Sequence, residues 1–444
     1  MEKILRVGCG AGFSGDRLDA AEPVVDALVA AGGPAVLIFE TLAERTLALA
    51  QLARRVDADT GFEPLLDELL APVLGKCLAN GVRVVSNFGA ANPMAAAKLI
   101  HRMAAAQGLR RPRVAVVLGD DLLAEGISLP TPETAMHGLV SANAYLGAEA
   151  IADALRAGAD IVVCGRVADP SLVLGPALAH FGWSLTDWDR LAGATMAGHL
   201  LECGAQVSGG YYADPGFKDV PDMAHIGYPI AEIHADGSCV IGKPAGSGGR
   251  IDEHSVKEQL LYELHDPGAY VTPDVVADIT SARVTELGPD RVRLSGVRGH
   301  ARPATLKVHL CHQNGWLAEG EISYAGARAE ARARLAADIL RERLAGLGTL
   351  RVDLIGVMSV LADDGGRTLH SVQPGSARDV RLRVALNHEQ RESAQRLTRE
   401  VTALYTCGPA GGGGVRTNLR PRLGLHSVAV ARERVRARHV FVEA

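Results

Sequence analysis

Aromatic side chains are scarce in this sequence: Phe, Trp and Tyr make up 4% of its 444 residues. The core has to be assembled from Ala, Val and Leu instead. Paired cysteines are absent. The seven cysteines stand singly at positions 9, 77, 164, 203, 239, 311 and 407, and no CxxC occurs. An odd, scattered set excludes a disulfide framework and a zinc module, and it is the usage of a cytosolic chain. Also absent is any apolar run of the roughly 18 residues that a membrane helix needs. The opening stretch "MEKILRVGCGAGF" carries no signal-type apolar segment and no small-residue cleavage site. Nor does one sign of charge dominate, since the net charge is −5 and Lys and Arg are spread along the chain. That excludes a nucleic-acid or anionic-membrane face. A cytoplasmic protein acting on a small molecule is expected, assembled as a homo-oligomer, with no nucleic acid and no membrane among its partners.

What is present is ordinary globular material, 48% hydrophobic and 22% charged. The length implies about two domains. Through the first part, a short β-branched run ends in Gly or a polar residue, and an amphipathic stretch rich in Ala and Leu follows. The runs are "ILRVG" (4–8), "AVLIF" (35–39), "VRVVS" (82–86), "RVAVVLG" (113–119) and "DIVVCG" (160–165). Helical spacing falls at 17–31, 41–55, 64–79, 93–107 and 147–157. This cadence predicts an α/β domain over 1–240, a Rossmann-like parallel sheet flanked by helices. A helix over 185–206 is expected to start at Thr186 or Asp187, and another at Ser255. From 281 the pattern predicts hairpins turning at Gly288–Asp290 and at Asn314-Gly315. A helix over 327–345, two strands, a helix over 388–403, a glycine-rich loop at 408–414 and two closing strands follow. Residues 241–444 are therefore expected to form a smaller α+β domain.

In open parallel sheets, ligands collect beyond the carboxyl ends of the strands. Here those ends read "GCGAGFSGDR", Glu40 in "FETLAERT", "SNFGAANP", "GDD" and "GRVADP". Solvent-exposed loops favour Lys, Ser and Glu. The Asn, Asp, Arg and Gly found instead favour one shared pocket. Gly10, Gly12 and Gly15 form G-x-G-x-x-G and, with Ser14 and Arg17, suit an anion at a helix N-terminus. With Glu40 as the ribose-binding acid the motif also suits a dinucleotide, but it starts about two or three residues late, so a phosphate or carboxylate fits better. A turn capped by Ser14 or Asp16 is the structural alternative. Asn87 suits an oxyanion donor, whereas Asn92 before Pro93 reads as a helix cap. Asp120 and Asp121 fit either a capping turn or a divalent cation, so a metal stays open. Asp169 before Pro170 reads as an N-cap that also hydrogen-bonds Arg166 and is a further substrate-binding candidate, and Arg166 as the ligand-facing cation.

Further along, His199, Glu202 and Cys203 share one helical face. His and Glu suit acid–base work and Cys a nucleophile, with a packed core thiol as the structural alternative. Asn143 in "SANAYLGAEAI" is a further substrate-binding candidate. Lys243, before a Gly-Ser-Gly-Gly loop, suits an anion clamp. Gly411, Gly412, Gly413 and Arg416 in "TCGPAGGGGVR" suit an amide-lined phosphate loop.

Read together, "GCGAGFSGDR", "FETLAERTLALAQ", "GAANP", "SANAYLGAEAI", "AGADIVVCGRVADPSL", "AGHLLECGAQVSGGY", "VKEQLLYELHDPGAYVTPDV" and "GEISYAG" follow in this order over residues 4–345. The set resembles the acyclic terpene utilisation protein A (AtuA) family. That resemblance implies a place in the catabolism of acyclic terpenes and branched acids, as a lyase or hydratase on a branched acyl-CoA thioester. It transfers no catalytic residue and no certain cofactor, and it speaks against a nicotinamide enzyme. The extra small C-terminal domain of some members is not expected here. Three functions are in view. The first is a lyase or hydratase with Arg166 and the Gly10–Gly15 loop as clamp. It would use Asn87 as oxyanion donor, Glu40, His199 or Glu202 as acid–base group, and Gly411–Gly414 for coenzyme A phosphates. The second is an NAD(P)-dependent oxidoreductase built on Gly10, Gly12, Gly15 and Glu40. The third is a non-catalytic subunit that binds a coenzyme A ester.

Overall fold

The computed structural model describes residues 4–129, 138–361 and 364–443. Two compact units emerge. The first takes Met1–Pro132, Val140–Cys311 and Leu425–Ala444, and the second Glu133–Leu139 and His312–Gly424. The division therefore does not fall at residue 240. The segments just beyond that point add strands to the first unit's sheet, and the chain returns to that unit at its end.

In the first unit, β1 (Leu5–Ala11), α1 (Ala21–Ala31), β2 (Ala35–Phe39), α2 (Glu44–Val56), α3 (Leu66–Asn80), β3 (Arg83–Ser86), α4 (Pro93–Ala106) and β4 (Val114–Leu118) follow the predicted cadence. After β5 (Leu139–Ala144) and α5 (Glu149–Arg156) comes β6 (Ile161–Cys164), which returns to lie between β3 and β4. Strands β1, β2, β3, β6 and β4 are parallel neighbours in that order. Their apolar runs are buried on both faces, with every residue of β2 and β6 inside.

The sheet as a whole is mixed, not the parallel Rossmann-like sheet expected. After α6 (Ser171–Phe181) and α7 (Trp188–Glu202), the strands β7 (Ile230–Ile233) and β8 (Cys239–Gly242) extend it beside β1 in antiparallel sense. Helix α8 (Glu253–Leu261) and the short strands β9 (Tyr270–Val271) and β10 (Val276–Asp278) precede the hairpin of β11 (Arg283–Gly288) and β12 (Arg291–Ser295). That hairpin closes one edge through β8, while β13 (Arg298–His300) joins β10 in a separate small sheet. Short runs joined by tight turns can only pair antiparallel, and this converts a parallel core into a mixed sheet.

Helix starts follow local chemistry. Asn92 caps α4 by accepting the Ala95 N–H at 3.3 Å, with Pro93 in the first turn. Asp187 precedes α7, whose residues from Leu191 to Glu202 are all buried. For α8 the cap is Asp252, which accepts from His254 and Ser255 N–H at 3.0 and 2.9 Å, so Ser255 is the reciprocal partner and not the cap.

In the second unit, β14 (Thr305–Ala325), β15 (Leu350–Ile355), β16 (Asp379–His388) and β17 (Gly413–Ala431) line up in the order β15-β16-β14-β17, and two of these strands run on into the first unit. Helices α9 (Ala329–Arg343) and α11 (Arg391–Cys407), with the short α10 (Arg367–Ser371), bury Ala333, Ala336, Leu340, Leu397 and Val401 against this sheet. No hairpin turns at Asn314-Gly315, because β14 runs straight through. A Cβ at Gly315 would stand 2.5 Å from the His388 carbonyl oxygen, so this glycine answers to a close interstrand approach. The chain ends with β18 (Arg438–Phe441) antiparallel to β4 in the first unit's sheet. Among the described residues no helix is long and apolar enough to cross a membrane.

Candidate active site

The loops beyond β1, β2, β3 and β6 are laced side by side. Glu40 N–H donates to the Ala11 carbonyl at 3.0 Å, Asn87 N–H to Phe39 at 3.3 Å, and Gly89 N–H to Cys164 at 2.9 Å. Four strand ends therefore do converge, and a buried polar cluster sits on them.

Glu40 and Asn87 are one device. The Glu40 Oε1 accepts from Leu42 N–H and from Asn87 Nδ2, both at 2.8 Å, while Asn87 Oδ1 accepts from Thr41 N–H at 2.7 Å. Asn87 is thereby committed on both ends of its amide. The oxyanion donor expected of it is instead a support for Glu40.

Arg166 is 1% exposed. Its Nε donates to the Val167 carbonyl at 2.8 Å, and its two Nη atoms to the Leu42 carbonyl and to Asp169. The guanidinium carbon lies 4.6 Å from the centre of the Tyr145 ring. The guanidinium thus faces protein and not a ligand. Asp169 also departs from its expected part. Pro170 is the N-cap of α6 and no side chain caps that helix. The Asp169 side chain keeps 34% of its surface open. The expected hydrogen bond between the two is present, but the ligand-facing cation is not: the arginine is the support and the aspartate is what a ligand would meet.

What it would meet is the edge of a cavity of about 510 Å³, lined by Tyr145, Asp169, Tyr270, Thr272, Lys307 and Ser427 among others. All of these belong to the first unit. Lys307 is exposed, with its Nζ 5.2 Å from the Tyr145 ring centre. Tyr145 is fixed by its hydroxyl, which donates to Glu44 at 2.5 Å and lies 3.2 Å from His309 Nδ1. His309 stands 3.1 Å from the same carboxylate. The hydrogen bond to His309 chiefly holds Glu44 well below the usual carboxyl range, with Tyr145 adding to it against burial.

The electrostatics of the cluster run the other way. Burial pushes Glu40 up to about 7, against Arg166, Leu42 and Asn87, and the charge of Glu202 adds to the rise. Burial also raises Asp169, opposed by Arg166 and reinforced by Glu40 and Glu202. One guanidinium balances one carboxylate, and a second ionisation in the same buried volume is resisted. Beneath them, Asp120 accepts from Arg166 N–H and from Asn143 Nδ2, each at 2.9 Å, and burial lifts it to about 6. Asn143 therefore supports Asp120 and does not face the cavity. Asp121 accepts from Ala124 N–H at 3.1 Å and from Gln51 at 3.2 Å, the arrangement of a capping turn. Among the described residues no three His, Cys, Asp or Glu side chains gather as a metal site.

On α7, His199 is buried with Nδ1 2.8 Å from Glu202 Oε1 and its ring 5.1 Å from Tyr270. Burial alone would lower this imidazole, but the charge and hydrogen bond of Glu202 outweigh it and raise it. Cys203 does not suit a nucleophile. Burial, then Glu202 and Glu40, pushes the thiol up, away from the thiolate.

The remaining candidates are used elsewhere. A Cβ on Gly10 would stand 2.6 Å from the Phe39 ring, and one on Gly12 2.3 Å from Gly204 N. These glycines answer to packing, and α1 begins only at Ala21, so the loop does not open a helix as the dinucleotide motif requires. Gly15 is exposed, and Arg17 is paired with Asp19 on the surface. Ser14 lines a different groove. Lys243 donates to the Ser247 carbonyl at 2.8 Å and meets Asp290 at 3.1 Å, with 4% of its side chain exposed. Gly411, Gly412, Gly413 and Arg416 belong to the second unit, where Gly411 packs on Arg332 and Gly412 on Ile322 and Tyr324. Sequence reading did not single out Tyr145, Tyr270 or Lys307. Tyr145 and Tyr270 lie inside quoted motifs and Lys307 in a strand-like run, but only the fold brings them together.

The model of the acyclic terpene utilisation family protein AtuA matches residues 5–441. The chain belongs to the AtuA family. The match runs about a hundred residues past the motifs quoted above and covers both units of this AtuA protein. No curated protein and no solved structure matches it. Membership implies a role in acyclic terpene utilisation.

Proposed function

We propose that this AtuA protein is a lyase or hydratase acting on a branched acyl-CoA thioester or a related small carboxylic acid. One observation carries the reading. A carboxyl whose ionisation is resisted, Asp169, opens into a cavity while a buried guanidinium fixes its position. Such a group can take up a proton and give it back.

Either reaction can run through that one carboxyl. In a syn elimination from a 3-hydroxyacyl thioester, the carboxylate takes the C2 proton and returns it to the departing hydroxyl, which leaves as water. In carbon–carbon cleavage, it takes the proton of the hydroxyl as the C2–C3 bond breaks and returns it to C2. Atoms balance in both. Arg166 acts as a positioning residue in this scheme, and Glu40 holds the neighbouring proton. Tyr270 and Lys307 line the same cavity, where a hydroxyl and a cation suit a thioester oxygen and an anionic group.

The test is Asp169→Asn against branched 3-hydroxyacyl- and enoyl-CoA thioesters, with products identified by mass spectrometry. Turnover is expected to fall about 100-fold or more, as for removal of an acid–base group, with the fold intact by circular dichroism. Undiminished turnover in that variant would remove Asp169 from the chemistry. Binding of thioesters without turnover by the unaltered protein would favour the non-catalytic subunit.

A further inference from the structure

Asp274 is buried, and the reaction scheme does not use it. It sits in the turn between β9 and β10. That segment, through Tyr270, Val271, Thr272 and Pro273, forms one wall of the cavity into which Asp169 opens. The turn closes on Thr272. Its Oγ1 donates to the Val275 carbonyl at 2.8 Å and accepts from the N–H groups of Asp274 and Val275 at 3.2 and 3.1 Å. The threonine hydroxyl is therefore engaged, and the polar group this wall offers is the Tyr270 phenol. Burial, and then the charges of Glu202 and Asp169, raise that phenol, so it stays a hydrogen-bond donor.

Two neighbouring residues tie the wall, one to each rim. Asp274 reaches the rim that carries Asp169. Its Oδ2 accepts from Ser171 Oγ at 2.7 Å and its Oδ1 from Ala148 N–H at 2.9 Å. Ser171 opens α6 two residues after Asp169, and Ala148 immediately precedes α5, so one carboxyl bridges two helix starts. Gly147 makes room for it, since a Cβ there would stand 2.2 Å from Asp274 Oδ1. Pro273 is tied the other way. Its carbonyl accepts from Arg432, whose Nε also donates to the Pro303 carbonyl at 3.1 Å, on the rim that leads to Lys307.

We propose that Asp274 is a positioning residue of this cavity: its bonds to the starts of α5 and α6 set the place of the Tyr270 hydroxyl relative to Asp169. Asp169 and Ser171 lie on one short stretch of chain. A carboxyl fixed on Ser171 therefore mounts the Tyr270 wall on the same base as the acid–base group. The catalytic consequence rests on the reaction proposed above. There Tyr270 donates to the thioester oxygen while Asp169 moves the proton, and a displacement of about 1 Å between them lowers the rate.

Fluorine NMR of the full chain labelled with 3-fluorotyrosine reads the placement without any substrate. The chain has eight tyrosines, and the Tyr270 resonance is the one that Tyr270→Phe removes. Asp274→Ala is expected to shift or broaden that resonance and to leave that of Tyr405, in the second unit, in place. Asp274→Asn keeps an oxygen for Ala148 N–H and offers its amide to Ser171, so it should return the resonance to its parental position. Ser171→Ala removes one of the two bonds. It should give a smaller displacement of the same resonance, and it decides the matter if Asp274→Ala does not fold. With thioester substrates, Asp274→Ala should lower kcat about tenfold or more while KM changes less than about threefold, and Asp274→Asn should restore kcat. The proposal is overturned by a Tyr270 resonance unmoved in the Ala variants, by failure of Asp274→Asn to restore it, or by parental kcat in a variant whose resonance has moved. A moved and restored resonance in a protein that turns over no thioester upholds the placement and counts against the lyase or hydratase reading alone.

Discussion

Two arginines in this protein each sit between carboxylates, and they do opposite things. Arg383, on β16 in the second unit, bonds Asp353 at 2.8 Å and also Glu319, with Arg351 on Asp353 and Arg420 near Glu319. Cations and anions alternate across neighbouring strands, and 27% of the Arg383 side chain is open to water. Nearby pairs of that unit behave alike. Arg343 holds Glu400 below the usual carboxyl range, and Glu330 is lowered by Gly375 N–H and Arg334 against its burial. Arg166 in the first unit is fully buried, and the carboxyls around it, Glu40 and Asp169, are raised. A balanced network settles its charges and does nothing further. A cluster with more carboxyls than cations around a buried guanidinium holds a proton that it can exchange. Chemistry is expected at the second kind of place.

Substitution separates the two most strongly at the arginines themselves. Arg166→Met takes the donor from the Asp169 carboxyl and from the buried carbonyls of Leu42 and Val167, and is expected to cost about 3 kcal/mol or more. Arg383→Met leaves the buried Asp353 carboxylate to Arg351 alone and should cost less, about 1–2 kcal/mol. Urea titrations of both variants measure the difference. Equal losses would mean that Arg166 is another balanced pair and that its neighbours are ordinary carboxylates.

Much of the frame around these clusters is readable from residue order. The apolar residues of the runs at 35–39 and 160–165 predict buried strands because they leave no polar face, and strands form at Ala35–Phe39 and Ile161–Cys164. Asn92-Pro93 predicts a cap because only one geometry uses both residues. Pairing is another matter. Nothing in "PIAEI" or "SCVIG" says that these strands will lie antiparallel beside β1, and Asn314-Gly315 fits a turn as well as the interior of a long strand. The site shows the same divide. Positions 40, 87, 166 and 169 stand out as polar residues at strand ends. Which of Arg166 and Asp169 faces the cavity depends on Tyr145 and Leu42, one to stack on the guanidinium and the other to accept a hydrogen bond from it. Those partners come from the loops that follow β2 and β5, and local pattern does not encode them.

A milder change sharpens the comparison through pH. Glu40 is raised to about 7 in the folded chain, whereas an unfolded glutamate titrates near 4.3. Between those values the folded state keeps a proton that the unfolded state has released. Stability contributed by protonated Glu40 is therefore present below roughly pH 4 and is lost as pH rises to about 7. Glu40→Gln keeps an oxygen for Leu42 N–H and removes that dependence. The variant should gain thermal midpoint relative to the parent at roughly pH 8 and show little gain at about pH 4. The opposite slope would mean that Glu40 is a stabilised carboxylate, like those of the second unit.

The smallest expected effect concerns what holds Arg166 from above. Tyr145 offers a ring to the guanidinium and a hydroxyl to Glu44, two services on different sides of one side chain. Tyr145→Phe removes only the hydroxyl. Glu44 keeps His309 at 3.1 Å, so the loss should be about 1 kcal/mol, that of one hydrogen bond. Tyr145→Leu also removes the face on which the cation rests, and should cost about 1 kcal/mol more. If the ring positions Arg166, and through it Asp169, then Tyr145→Leu should also lower kcat while Tyr145→Phe leaves it near the parent value. Equal turnover in the two variants would show that the stacked ring is packing alone and that Asp169 is held by the buried charge without it.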